Sequence, residues 1–157
     1  LVVPEDAELP VGIEEEAVII RQPILNVHSS SENALELLQM IIGDDPEPEI
    51  TVAAWDYTAP DYTALLLNAC DLAIMPEVFG EPDEGEEPLA EEASAAIADV
   101  RERFNMLGIP MFVDRSADEE TEAAKLEWIK VYGILLGCEE AANTCYETAV
   151  AALEVQA

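Results

Sequence analysis

Short aliphatic runs alternate with amphipathic stretches along the whole chain. Leu1–Val3 and Ala17–Ile20, separated by Pro4, Pro10 and Gly12, read as an initial pair of strands, with a hairpin as the simplest pairing. Ile24–Val27 is a third aliphatic run. It is followed by Ser29, Ser30 and Ser31, and then by Ala34, Leu35, Leu38, Ile41 and Ile42 at helical spacing. Serines ahead of such a stripe are N-cap candidates, and Gly43 is a natural stop. A polar turn over Asp44–Glu49 leads into Ile50–Ala54, a strand of the buried type. Pro60, at a plausible first helical position, opens a helix through about Ala69. Leu72–Met75 is a further strand. Ala93, Ala96, Ile97, Val100, Phe104 and Leu107 then share one helical face that Gly108 ends. Met111–Val113 is the last strand. Two helices close the chain, Glu119–Leu136 and Glu139–Val155, broken apart at Gly137.

Aliphatic strands joined through amphipathic helices imply parallel βαβ units with right-handed crossovers. The expected fold class is α/β: a single doubly wound, mainly parallel sheet with helices on both faces. The expected organisation is an α/β lobe over residues 1–118, with the helices of 119–157 packed on that same lobe. Ligands of such sheets sit beyond the carboxyl ends of the strands. Four segments occupy those positions: His28–Ser31, Trp55–Tyr57, Met75–Phe79 and Asp114–Ser116.

Composition narrows the function. Half of the 157 residues are apolar, enough for a core and too many for a disordered acidic tail. The longest uncharged runs, Gln22–Ser31 and Phe104–Val113, are ten residues each, half of what a membrane-spanning helix needs. Leu1 begins neither a signal peptide nor a chain with its initiator Met, which reads as a mature or trimmed chain. Thirty-five acids against six bases give a net charge of −29. Nucleic acid and anionic membrane surfaces, which require Lys and Arg, are thereby excluded as expected partners. Glu outnumbers Asp 25 to 10 and there are two lysines, a bias that fits either salt adaptation or a redesigned surface. The segment Glu81–Glu92, with seven acids in twelve residues, lacks the spacing of a calcium loop and reads as solvated.

The chemistry-bearing residues are few. Ser29–Ser31 offer backbone N–H groups and hydroxyls to an anion, or simply cap the helix that follows. There are no glycines of a P-loop or dinucleotide fingerprint and no nucleophile elbow, so the expectation is a non-enzyme without a cofactor. A small α/β enzyme is the least supported class. His28, the only histidine, reads as a half-exposed structural residue; nothing fixes a metal spacing with Glu77 or Asp56, and no metal is expected. Trp55, Tyr57 and Tyr62 stand at a strand end, as walls for a bulky ligand or as packing under a loop. Arg115 follows the last strand directly, facing either an anionic ligand or a neighbouring acid. Cys138 and Cys145 lie seven residues apart on one predicted helix. Their Cα atoms are then about 10 Å apart, too far for a disulfide, and three buried thiols are expected with Cys70.

Four stretches resemble a known family. "LGIPMFVDRS" and "EWIKVYGILLG" followed by "CEEAANTCYE", all within residues 105–148, are similar to the extracytoplasmic solute-binding proteins of ABC importers. "ACDLAIM" and the upstream run from "LVVPE" to "ENALELLQMI" resemble the N-terminal lobe of the same family. The group concerned handles iron–siderophores, haem and cobalamin. The chain differs from the family's pattern in its scarcity of Lys, and in Met75, Pro76 and Glu77 after the "DLAI" strand. The resemblance implies one lobe of a two-lobed fold, its last helices corresponding to the segment that links the lobes. It implies non-catalytic capture of a metal-chelate solute, a membrane permease as partner and an extracytoplasmic location. Ser29, Ser30, Trp55, Tyr57, Glu77 and Arg115 are the candidate ligand-binding residues. A homo-oligomer through the face of the missing lobe is a further expectation. The alternative is an isolated or redesigned lobe that serves as a scaffold without a ligand.

Overall fold

A computed structural model of the chain describes residues 1–13, 17–43 and 49–156. Residues 44–48, most of the expected Asp44–Glu49 turn, lie outside them. The fold is α/β. Six strands run in order: β1 (Val2–Pro4), β2 (Ile20–Gln22), β3 (Asn26–Ser29), β4 (Thr51–Ala54), β5 (Leu72–Met75) and β6 (Met111–Val113). Among the described residues five α-helices surround them: α1 (Glu32–Gly43), α2 (Tyr62–Leu67), α3 (Glu91–Leu107), α4 (Glu122–Leu136) and α5 (Glu139–Gln156).

The main sheet is four-stranded and wholly parallel, in the order β4–β3–β5–β6. All four residues of the central strand β5 are buried. This is the pattern of a strand covered on both faces, and it explains the unbroken apolar run Leu72–Met75. One face carries Val27, Leu72 and Ile74, packed with Leu38 and Ile41 of α1 and with Ile129, Tyr132 and Leu136 of α4. Ala142 and Cys145 of α5 belong to the same core. The opposite face carries Ala73 and Met75 against Trp55, Leu65 of α2, and Val100 and Phe104 of α3.

Four details differ from expectation. β1 and β2 form a separate two-stranded sheet and are parallel, not a hairpin. Arg21 of β2 donates to the carbonyls of Glu5 and Ala7, just after β1, both at 3.1 Å. β2 and β3 also begin later than the aliphatic runs, although Ile24, just before β3, is fully buried. α2 is only six residues long and starts at Tyr62: the Asp61 carboxylate accepts from Ala64 N–H at 3.0 Å and sets the start past Pro60. α4 starts at Glu122, capped by Thr121, because a 3₁₀ turn occupies Ser116–Asp118. The stops are as expected at Gly108 and Gly137, whose φ values of +69° and +68° are left-handed.

The apolar stripe of α3 divides into two parts. Val100 and Phe104 enter the core, whereas Ala93 and Ala96 are exposed and Ile97 is only partly covered. The amino-terminal half of this helix therefore keeps an open apolar face beside the acidic loop.

Candidate functional site

The chain passes from β3 outward to β4, then returns to β5 and β6 on the other side of β3. The strand order thus reverses between β3 and β5, and the crevice beyond their carboxyl ends is where such sheets bind ligands. Backbone bonds extend the ladder at this edge: Ser30 N–H donates to Ile74 O, Trp55 N–H to Ser29 O and Asp114 N–H to Met75 O, all at 2.8 Å.

The best-ordered polar feature here centres on Asp114, which is 1% exposed. One carboxylate oxygen accepts from Ser31 Oγ at 2.6 Å and Ser116 Oγ at 3.0 Å. The other accepts from Tyr132 OH at 2.7 Å and Ser116 N–H at 3.2 Å. Four donors surround the carboxylate, and among the described residues no cation pairs with it. Ser31 Oγ in turn accepts from Ala34 N–H at 3.2 Å, the N-cap of α1. The carboxylate therefore clasps the start of α1, the turn after β6 and the middle of α4. Burial and the neighbouring carboxylate push the Tyr132 hydroxyl far above its usual pKa, so it stays a donor. Sequence reasoning named Ser31 among the N-cap candidates, and it is the cap of α1; it reached the Asp114–Ser116 segment without singling out Asp114, Ser116 or Tyr132. Partners 83 residues apart leave no local signal.

The candidate residues separate into two groups. Ser29 is buried, its hydroxyl donating to Ser31 O at 3.0 Å and accepting from Ser31 N–H at 3.1 Å. Trp55 is 8% exposed and packs edge-on against Phe104, its indole N–H on Asp61 O at 3.3 Å. Both are committed within the fold. Ser30 is half-buried, with its hydroxyl on Trp55 O at 2.5 Å. Tyr57 stands edge-on to Phe79 at 5.1 Å between ring centres, and Glu77 is exposed. Arg115 is half-buried and fully engaged. Its guanidinium donates to Glu81 O at 2.6 Å and pairs with Asp83 at 3.2 Å and Asp118 at 3.7 Å. It also lies flat on Gly80, where a Cβ would meet Nη2 at 2.9 Å.

Arg115 thereby pins the acidic loop over a pocket of about 680 Å³. The pocket's charged lining is Glu77, Glu81, Asp83, Glu86, Glu87 and Asp118, opposed by Arg101 and Arg115. A neighbouring pocket of about 390 Å³ includes Tyr57, and Val78, Leu89 and Ile97 line both. Asp56, just before, has its pKa lowered by hydrogen bonds from the Thr58 hydroxyl and N–H.

His28 does not reach this rim. It is 6% exposed in mid-strand, paired in register with Ala53 and Ala73, and its Nδ1 has no hydrogen-bond partner. It is thus buried, not half-exposed, and burial lowers its pKa. The three cysteines are free and buried, and desolvation pushes the Cys70 thiol up to about 11. Among the described residues, no group of three or more His, Cys, Asp or Glu side chains is placed to hold a metal ion. No helix among them is long and apolar enough to cross a membrane. Comparisons with protein-family models, curated proteins and solved structures find no match to this chain, so the site is read from its geometry and its sequence.

Proposed function

We propose that the chain is one lobe of an extracytoplasmic solute-binding protein, capturing a metal-chelate solute such as an iron–siderophore, haem or cobalamin for an ABC importer. The observation that carries the reading is the rim. Ser30, Tyr57, Glu77 and Arg115 follow four adjacent parallel strands and flank the point where strand order reverses. The likeness of residues 105–148 to that family supports it, as does the absence of a catalytic constellation among the rim residues. Solute capture without chemistry needs only a shaped wall with a few polar groups.

One lobe supplies one wall, and a ligand enclosed from one side loses about half of the contacts that bury it in a two-walled cleft. Binding to this chain is therefore expected at a Kd of about 1 mM or weaker, equivalent to about −4.1 kcal/mol. The test is an amide chemical-shift titration with haem, cobalamin and a gallium-loaded siderophore. Saturable shifts at Ser30, Tyr57, Glu77–Gly80 and Arg115, lost in Arg115→Ala, are the expected result. No shift with any of the three would overturn the reading in favour of a scaffold without a ligand. Sub-micromolar binding would overturn the single-wall geometry and require a cleft complete within one chain or across a homodimer.

A further inference from the structure

The groove between the Glu77–Leu89 segment and α3 has two properties that the solute-binding reading does not use. Its floor is apolar: α3 supplies Ile97 from the open half of its stripe and Ala98 next to it, and Leu89 is 46% exposed. Its volume of about 680 Å³ lies within the range that holds drug-sized ligands, roughly 300–1,000 Å³. Its charge is unbalanced. Six carboxylates line it against two guanidiniums, and one of the two, Arg115, is already paired. Arg115 is held by Asp83, Asp118 and Glu81 O, and Arg101 lies over the Phe79 ring at 5.8 Å. The carboxylates of Glu77, Glu81 and Glu87 make no ion pair among the described residues. The chain as a whole, at −29, gives a field of the same sign, which a cleft with low-dielectric walls focuses.

We propose that this groove binds a small organic cation with an apolar body, its charge among Glu77, Glu81 and Glu87 and its hydrocarbon part over Leu89 and Ile97. Each alternative class lacks a counterpart in the groove. An anion meets six carboxylates against two guanidiniums, one of them already held by Asp83 and Asp118. A bare metal ion finds no ligating cluster among the described residues. A neutral apolar molecule gains the floor and forgoes the field. Tyr57, in the adjoining pocket, adds a ring face of the kind that attracts ammonium groups. The groove shares Glu77 and Arg115 with the rim described above, but the inference stands on the groove alone.

The test uses three probes with one phenylbutyl body: 4-phenylbutyltrimethylammonium, 4-phenylbutanol and 4-phenylbutyrate, each titrated against the 157-residue chain by amide chemical shift. The expected result is saturable binding of the cation, with shifts confined to residues 77–89 and 94–101, at least tenfold tighter than the alcohol and with no binding of the carboxylate. At about 6 Å and a dielectric near 80, each lost carboxylate weakens binding about threefold, so Glu81→Gln/Glu87→Gln costs about tenfold at low salt. Removing the same charge from α5 with Glu140→Gln/Glu147→Gln changes affinity less than about twofold, because that distance is screened. Ala98→Trp fills the groove from an exposed helix position, sparing the core, and abolishes binding. Equal affinities for cation and alcohol would overturn the inference. So would an α5 pair as costly as the groove pair, or unchanged binding in Ala98→Trp.

Discussion

Replacing Asp114 tests whether the polar clasp holds the carboxyl edge of the sheet together. The four donors that converge on its carboxylate are all in buried residues: the hydroxyls of Ser31, Ser116 and Tyr132, and Ser116 N–H. Asp114→Ala leaves all four without an acceptor. A buried donor left unpaired costs about 1–3 kcal/mol. The full sum is not reached, because hydroxyls turn toward other acceptors and the space left by the carboxylate admits a water. We expect a loss of about 3–5 kcal/mol, a large share of the roughly 5–15 kcal/mol by which domains are stable. Asp114→Asn keeps one acceptor oxygen for Tyr132 OH and Ser116 N–H. Its new N–H group faces Ser31 and Ser116, whose hydroxyls can rotate to accept. The expected cost is therefore smaller, about 1–2 kcal/mol.

Urea unfolding followed by circular dichroism supplies both numbers through linear extrapolation, with an unchanged slope as the control for two-state behaviour. Tyr132→Phe removes one donor, and the double variant Asp114→Ala/Tyr132→Phe should cost less than the sum of its parts, since no tyrosine hydroxyl is then stranded. An Asp114→Ala protein within about 1 kcal/mol of its parent would refute the reasoning, as its cost would lie in the range of an ordinary surface change. Strict additivity in the double variant would refute it independently.

Two further outcomes follow from burial and close contact. His28 has a folded-state pKa below its ordinary value, so the unfolded chain binds the proton more readily, and stability is lost as pH falls through about 6.5 toward that lower value. His28→Gln removes this loss. The urea-midpoint advantage of the parent over the variant should shrink between about pH 7.5 and pH 5, and a constant difference would show that His28 is not coupled to folding. Gly133 of α4 faces α5 so closely that a Cβ would lie 2.5 Å from Ala142 Cβ. Gly133→Ala should destabilise by about 1–2 kcal/mol, overpacking outweighing the gain of about 1 kcal/mol in helix propensity. Gly133→Ala/Ala142→Gly should recover most of the overpacking cost. A melting temperature that rises in the single variant would contradict the close helix contact.

What the sequence conveyed about the fold came from period and punctuation. Leu72–Met75 is apolar at every position because both faces of β5 are covered, and this run identified a strand unaided, though not its central place in the sheet. Gly108 and Gly137 marked helix ends because the chain there takes a left-handed turn. The direction of β1 against β2 was not legible, since an aliphatic triplet has the same composition in either orientation. The extent of α2 was misjudged because Pro60 and Asp61 both signal a helix start, and the carboxylate that caps Ala64 N–H won over the ring. The four strand-end segments were legible from topology alone. What each residue does within them was not: Asp114 is one of 35 acids, and nothing in a single sequence marks the one that is buried.

Arg115 connects these readings. In the pattern of residues it stood either against an anionic ligand or against a neighbouring acid, and in the fold it holds Asp83, Asp118 and the Glu81 carbonyl together over Gly80. Those bonds close the loop over the groove while consuming the positive charge that an anionic chelate would need. An anionic solute at the rim therefore competes with Asp83 and Asp118 for Arg115, and its binding is coupled to release of residues 81–83. A cation in the groove leaves the same contacts intact. The two classes of ligand thus call for opposite states of one guanidinium. On the proposed readings, the charge of the solute, more than its size, is what would decide whether the acidic loop keeps its contacts with Arg115. In a chain already at −29, Arg115 set between Asp83 and Asp118 offsets local repulsion that its withdrawal would expose, so the closed arrangement is the one that the protein's own electrostatics favours.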